Sequence, residues 1–310
     1  MIEVEHLSKR YGDKLAVDDL TFQVQPGIIT GFLGPNGAGK STTMRMMVGL
    51  DAPTAGSATI GGRDYRSLRA PLREVGAMLE ARAIHTGRSA YHHLLAMAQT
   101  ARIPAARVDE VIELVGLGQV ARKRVGSFSL GMGQRLGIAA ALLGDPATVI
   151  LDEPANGLDP EGILWIRTLL KSLAREGRTV FLSSHLMSEI AVTADRVIVI
   201  GRGRLVADAS VSEVVAQASV GAAVLVRAER AGELADALAR PGVALRRVAT
   251  DALEVDGLSS RRISEAALHA GIVLDELTPR QASLEDAFMA LTGDAVEYRT
   301  AAIDELEQVA

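Results

Sequence analysis

The chain has 310 residues, no cysteine, 48% hydrophobic but only 3% aromatic residues, and a formal net charge of −5. Lack of cysteine excludes disulfides, thiolate metal sites and cysteine nucleophiles, while an acidic balance with few aromatics argues against a nucleic-acid-binding surface. The length suits one large domain and a smaller one, at roughly 100–200 residues per domain.

The opening Met1-Ile-Glu-Val-Glu carries acids where a secretion signal carries bases, so no export signal is expected. Ile2-Glu-Val-Glu and Leu20-Thr-Phe-Gln-Val-Gln alternate in hydrophobicity, as half-buried antiparallel strands do, and Pro26-Gly27 turns the chain. The longest uncharged stretch, Leu20 to Gly39, is broken by Gln23, Gln25, Pro26, Asn36 and several glycines, and does not read as a membrane-spanning helix. Its second half, the apolar run from Ile28 to Leu33, leads into Gly34-Pro35-Asn36-Gly37-Ala38-Gly39-Lys40-Ser41-Thr42, and a helical pattern follows from Thr43 to Leu50.

Residues 34–41 fit G-x-x-x-x-G-K-[ST] in the strand, loop, helix context that the motif needs. A triphosphate is strongly anionic, so the loop must offer backbone N–H donors unobstructed by side chains, which Gly34, Gly37 and Gly39 permit. Lys40 is expected to reach the β- and γ-phosphates of a bound nucleotide, and the Ser41 hydroxyl to ligate Mg²⁺. Upstream, Tyr11 is a candidate for stacking on the base, although a lone tyrosine suits a core equally well.

From Ala90 to Gly144 the pattern is mostly helical, including Val108–Val115 and Gly133–Leu143, and reads as a helical subdomain over about residues 85–145. Thr148–Leu151, Thr179–Ser183 and Arg196–Ile200 are apolar runs separated by helical patterns, as in a buried parallel sheet. Asp152 and Glu153 close the first of them. Asp152 is assigned to the metal side of the site, and Glu153 is the natural group to polarise an attacking water. Asn156-Gly-Leu-Asp159 superficially suggests a guanine-reading element, but it lacks the lysine and lies too close to the acidic pair. His185, just past a buried strand, is a candidate for contact with the γ-phosphate, since parallel sheets bind ligands at their carboxyl ends.

Beyond Ser210 the texture changes. Ala222–Arg227, Val243–Val248, Ala252–Val255 and Ile272–Asp275 read as extended, and Ala231–Ala239 and Arg261–Ala270 as helices, an order resembling a split β-α-β-β-α-β unit. A final helix is read over Ser283–Thr292, with Ser283 as cap, Asp286 three residues on, and Gly293 as stop. The expected divisions are residues 1–217, 218–293 and an acidic tail, 294–310.

Taken together, residues 1–215 resemble the ATP-binding-cassette (ABC) ATPases, in the order tyrosine loop, phosphate loop, glutamine-type loop, signature, acidic strand, Gly-Leu-Asp loop and switch histidine. The resemblance implies an α/β P-loop cassette with a mixed sheet core, antiparallel β and helical subdomains, and here a small C-terminal α+β domain. It also implies Mg²⁺-dependent ATP hydrolysis, with Asp159 near the nucleotide. Two copies would pack head to tail as an ATP-sandwich homodimer, Ser129 and Gly131 of one facing the γ-phosphate held by the other.

Two departures stand out. Where the family has Leu-Ser-Gly-Gly-Gln, this chain has Phe128-Ser129-Leu130-Gly131-Met132, and where a glutamine usually ligates metal it has Glu80. These departures and the segment Ser283–Gly293 resemble the bacterial antibiotic and multidrug exporter branch, whose membrane permease is a separate chain. The implied location is peripheral, on the cytoplasmic side of the membrane, with no nucleic-acid partner. A permease helix is expected to dock over residues 80–100, where Tyr91, His92, Leu94, Leu95 and Met97 lie. The runner-up is a soluble regulatory or assembly cassette not coupled to transport.

Overall fold

In the computed structural model, residues 1–80, 84–218, 223–280 and 282–292 are described, and they fall into two compact units, one of Met1–Ser210 with 291–292 and one of Val211–Ala290. The acidic tail and the stop at Gly293 lie outside the described residues. The division comes before the helix Val211–Ala218 rather than after it. Ser210 still pairs with Arg196 in a sheet of the first unit, whereas the helix that follows is tied to no ladder.

Among the described residues the first unit holds nine strands: β1 (Ile2–Tyr11), β2 (Lys14–Val24), β3 (Ile29–Leu33), β4 (Ala55–Ile60), β5 (Val75–Met78), β6 (Thr148–Leu151), β7 (Thr179–Ser183), β8 (Arg196–Gly201) and β9 (Arg204–Ser210). The alternating N-terminal runs form an antiparallel sheet in the order β2-β1-β4. The continuous apolar runs form a six-stranded sheet, β5-β6-β7-β3-β8-β9, in which only β9 is antiparallel. Three phenylalanines join the two layers: Phe22 of β2 lies 5.7 Å from Phe32 of β3 and 6.1 Å from Phe181 of β7, centroid to centroid. All three are buried, and their tilted packing adds to the apolar area removed from water.

Helices fill the stretch read as the helical subdomain: Ala90–Thr100, Ala105–Leu114 and Leu130–Leu142. The last packs closely on β5, since a Cβ on Gly76 would overlap the Ala141 carbonyl. Pro160–Arg175 is amphipathic, burying Ile166, Leu169, Leu170 and Leu173 at helical spacing. No described helix is long and apolar enough to cross a membrane.

The second unit is a four-stranded antiparallel sheet, with β10 (Val224–Arg227), β11 (Ala244–Ala249), β12 (Ala252–Asp256) and β13 (Glu276–Pro279) in the order β11-β12-β10-β13. Helices Ala231–Leu238 and Ser260–His269 share a core with Val226, Leu253 and Val255. Buried Glu254 on β12 is paired with Arg246 and Arg280, as a buried charge requires. The Ser283 and Asp286 side chains satisfy each other's backbone N–H at 2.8 and 3.0 Å, opening the last helix, Leu284–Thr292. One sequence expectation is corrected here: the last strand is Glu276–Pro279, not Ile272–Asp275. Ile272 and Leu274 meet the core from a connecting segment, while the ladder to β10 starts at Glu276.

Candidate active site

Strands β6, β7 and β3 are neighbours in the sheet, so their carboxyl ends place residues far apart in sequence side by side. The loop after β3 needs glycine for steric reasons. A Cβ on Gly34 would stand 2.6 Å from the Ile200 carbonyl, and one on Gly39 2.6 Å from the Ala16 carbonyl, with Gly39 also at φ +104°. Gly39 is followed at once by the helix Lys40–Met47, whose first turn points its free N–H groups into the loop.

Tyr11, Asn36, Gly37, Ala38, Gly39, Lys40, Ser41, Thr42, Asp152 and Glu153 line one cleft of about 460 Å³. Gly34 and Pro35 border it through their carbonyls, which accept from Lys40 Nζ at 2.5 and 3.2 Å. Burial pushes the Lys40 amine below the ordinary lysine range, opposed by the Glu153 and Asp152 carboxylates. The ammonium is therefore poorly solvated and already faces the floor of the cradle, where an anion relieves it.

Asp152 Oδ2 accepts from Ser41 Oγ at 2.7 Å, across 111 residues of sequence. Its other oxygen accepts from Ser183 Oγ, and Ser183 in turn accepts from the Glu153 N–H at 3.0 Å. Glu153 adopts φ +51°, the left-handed region that non-glycine residues rarely occupy. Its carboxylate Oε2 accepts from the His185 N–H at 3.2 Å and lies 2.7 Å from His185 Nδ1. The expected acid and histidine are thus in direct contact, on the ends of adjacent strands.

Other expected residues are placed differently. Tyr11 is half-exposed and donates from its hydroxyl to Asp51 Oδ2 at 3.0 Å, so it lies outside the core. Ser129 caps the helix Leu130–Leu142 by accepting from the Met132 N–H at 3.2 Å. Gly131 lies against Gly157, where a Cβ would come within 3.0 Å of the Gly157 carbonyl. Asp159 caps Pro160–Arg175 by accepting from the Gly162 N–H at 2.8 Å. Glu80 is exposed past β5 and is not among the residues lining the cleft. Among the described residues no three His, Asp or Glu side chains converge as a metal cage, so a cation here would draw most of its ligands from phosphate and water.

Two residues of the site escape sequence reading. Ser183 ends an apolar strand and looks like a strand residue. Gln134 is 3% exposed in an otherwise apolar helix face, and its Nε2 donates to the Glu153 carbonyl at 2.7 Å. A lone amide on a buried helical stripe was the available signal.

A phosphate loop after the central strand, paired acids on the next strand but one and a capped helix ahead of them define a P-loop nucleotide-binding cassette. The ABC transporter family profile matches residues 17–156, and a domain of unknown function (DUF8746) matches 222–285. The chain belongs to the ABC transporter ATP-binding subunits. It is 46% identical over 208 residues to the bacitracin transport ATP-binding protein BcrA of Bacillus licheniformis, covering 66% of this chain and 68% of that protein. It is 35% identical to the daunorubicin resistance ATP-binding protein DrrA3 of Streptomyces coeruleorubidus, over 97% of this chain and 98% of that one. A solved ATP-binding subunit of an ABC transporter superposes with a TM-score of 0.64 at 26% identity, covering 70% of this chain and 92% of that one.

Proposed function

We propose that the chain is the ATP-hydrolysing subunit of a bacterial exporter that moves an antibiotic, drug or other amphipathic molecule through a separate membrane permease. The observation that carries it is the pairing of Glu153 with His185 beside a phosphate loop whose Ser41 is bonded to Asp152. Relatives named for bacitracin transport and daunorubicin resistance support the exporter part of the reading.

In this reading the backbone N–H groups of residues 37–42 and the Lys40 ammonium bind the β- and γ-phosphates, and Tyr11 stacks on the base. Ser41 and Asp152 form the protein's part of a Mg²⁺ site, a hydroxyl and a carboxylate being the hard oxygen donors that ion takes. Held by these two residues, such an ion would supply neutralisation of phosphate charge. Glu153 accepts a proton from the attacking water, and His185 holds that carboxylate in orientation. Ser129 and Gly131 complete the site of a second copy, with Asp159 near the same nucleotide.

The permease is proposed to dock over residues 80–100, of which 81–83 lie outside the described residues. Leu94 is withdrawn from that surface because it is fully buried, leaving Tyr91, His92, Leu95 and Met97 to face a partner. The reading is tested by steady-state hydrolysis with the Glu153→Gln variant. The rate is expected to fall by about 10²–10⁴-fold while ATP still binds. Wild-type turnover in that variant would remove Glu153 as the base.

A further inference from the structure

We infer that Gln134 is a positioning residue that holds the backbone of Glu153 in its catalytic conformation. The inference rests on the reading of Glu153 as the base. Gln134 belongs to the helix Leu130–Leu142, one turn in from the Ser129 cap, and is almost wholly buried. Its partner is a carbonyl, which only accepts, so the amide NH₂ must be the group that points at Glu153.

Glu153 needs such a hold. Its left-handed φ of +51° is costly because it brings Cβ close to the following carbonyl oxygen, and it persists only where surroundings over-determine it. Three bonds do so: Ser183 Oγ receives the Glu153 N–H at 3.0 Å, and the Glu153 carbonyl accepts from Gln134 Nε2 at 2.7 Å and from the Asn156 N–H of its own loop at 3.2 Å. With both backbone groups of one residue clamped, the carboxylate is aimed at His185. Loss of the Gln134 bond leaves the carbonyl with the longer Asn156 bond alone, made within the same turn, so the backbone is freer to shift toward negative φ and the carboxylate turns with it.

The same helix meets the following loop a second time. Leu130 lies over Gly157, where an added Cβ would overlap the leucine side chain. The segment that carries Ser129 is therefore joined to the chain's own acidic loop at Gly157 by packing and at Glu153 by a hydrogen bond. Gln134 thus links the helix that faces an opposing nucleotide to the base that acts on the chain's own.

The test measures ATP hydrolysis by the full chain in Gln134→Met, which keeps length and loses the donor, and in Gln134→Glu, which keeps shape but as a carboxylate only accepts. Both are expected to lower kcat by about 10- to 100-fold, with KM and ATP affinity unchanged, as misplacement of a reacting group does. Gln134→Met combined with Glu153→Gln is expected to be no slower than Glu153→Gln alone, because the first change acts through the second residue. Wild-type kcat in both single variants, a rise in KM in place of a fall in kcat, or multiplicative losses in the combined variant would overturn the inference. So would failure of both variants to fold, which assigns the bond to stability. If Glu153→Gln itself turns over at the wild-type rate, the parent reading fails instead.

Discussion

Lys40 is held in a setting that suits its ligand better than itself. Burial depresses its pKa in the folded chain, so the folded state would release the proton before the unfolded state does. Below that folded value both states are charged and the folded chain carries the whole desolvation cost. As pH climbs through the folded value toward the ordinary lysine range, the unfolded state binds more protons, and stability rises relative to a chain without the lysine. Lys40→Met is therefore expected to raise the melting temperature of the nucleotide-free chain near neutral pH, with the gain shrinking as pH rises toward 10, near the ordinary lysine pKa. It should also abolish the stabilisation that ATP confers. Thermal unfolding across that range, with and without ATP, checks both parts, and a lower neutral-pH melting temperature would contradict the burial argument.

The strand, loop and helix around Gly39 work as one element, because the turn that exposes the helix N–H groups also brings the backbone against Ala16. Gly39→Ala would meet a carbonyl at 2.6 Å in a left-handed conformation. The strain alone is of order 1–3 kcal/mol, and relieving it would move the helix start away from the phosphates. Isothermal titration is expected to show ATP binding lost even where circular dichroism shows a folded chain. The helix Leu130–Leu142 poses a different case. Its Ser129 cap is an ordinary stabilising device, worth about 1 kcal/mol, and yet it lies where a second copy is proposed to approach. Ser129→Arg in a Glu153→Gln background should remove an ATP-dependent dimer that Glu153→Gln alone retains. Sedimentation finding the dimer unchanged would take Ser129 out of the interface.

The whole chain combines a nucleotide-binding unit with a second unit that has its own apolar core. With a net charge of −5 it has little electrostatic attraction to anionic lipid, so any membrane residence should come from a protein partner. Expressed with and without a membrane permease proposed as its partner, the chain is expected in the membrane fraction only in the first case. Equal distribution in the two cases would favour a soluble cassette over a transporter subunit.

Local chemistry was legible from residue order. Gly34–Ser41 follows a strand and opens a helix within a short span, so spacing alone told the cradle from a glycine turn, and the Ser283–Asp286 cap was readable because both partners lie in one helical turn. The antiparallel and parallel sheets were legible too, because alternating and continuous apolar runs reflect burial on one face or on both. The error at Ile272–Asp275 shows where this ends: apolar residues mark contact with a core, but a strand is made by its partner's hydrogen bonds, and β10 takes Glu276–Pro279. The bonds from Ser41 and Ser183 to Asp152, and from Gln134 to Glu153, join residues on separate elements. No periodicity along the chain encodes which side chains meet when β3, β6 and β7 align, so the order of strands in the sheet decided how the site is assembled, and the packing of one helix beside it decided what holds Glu153.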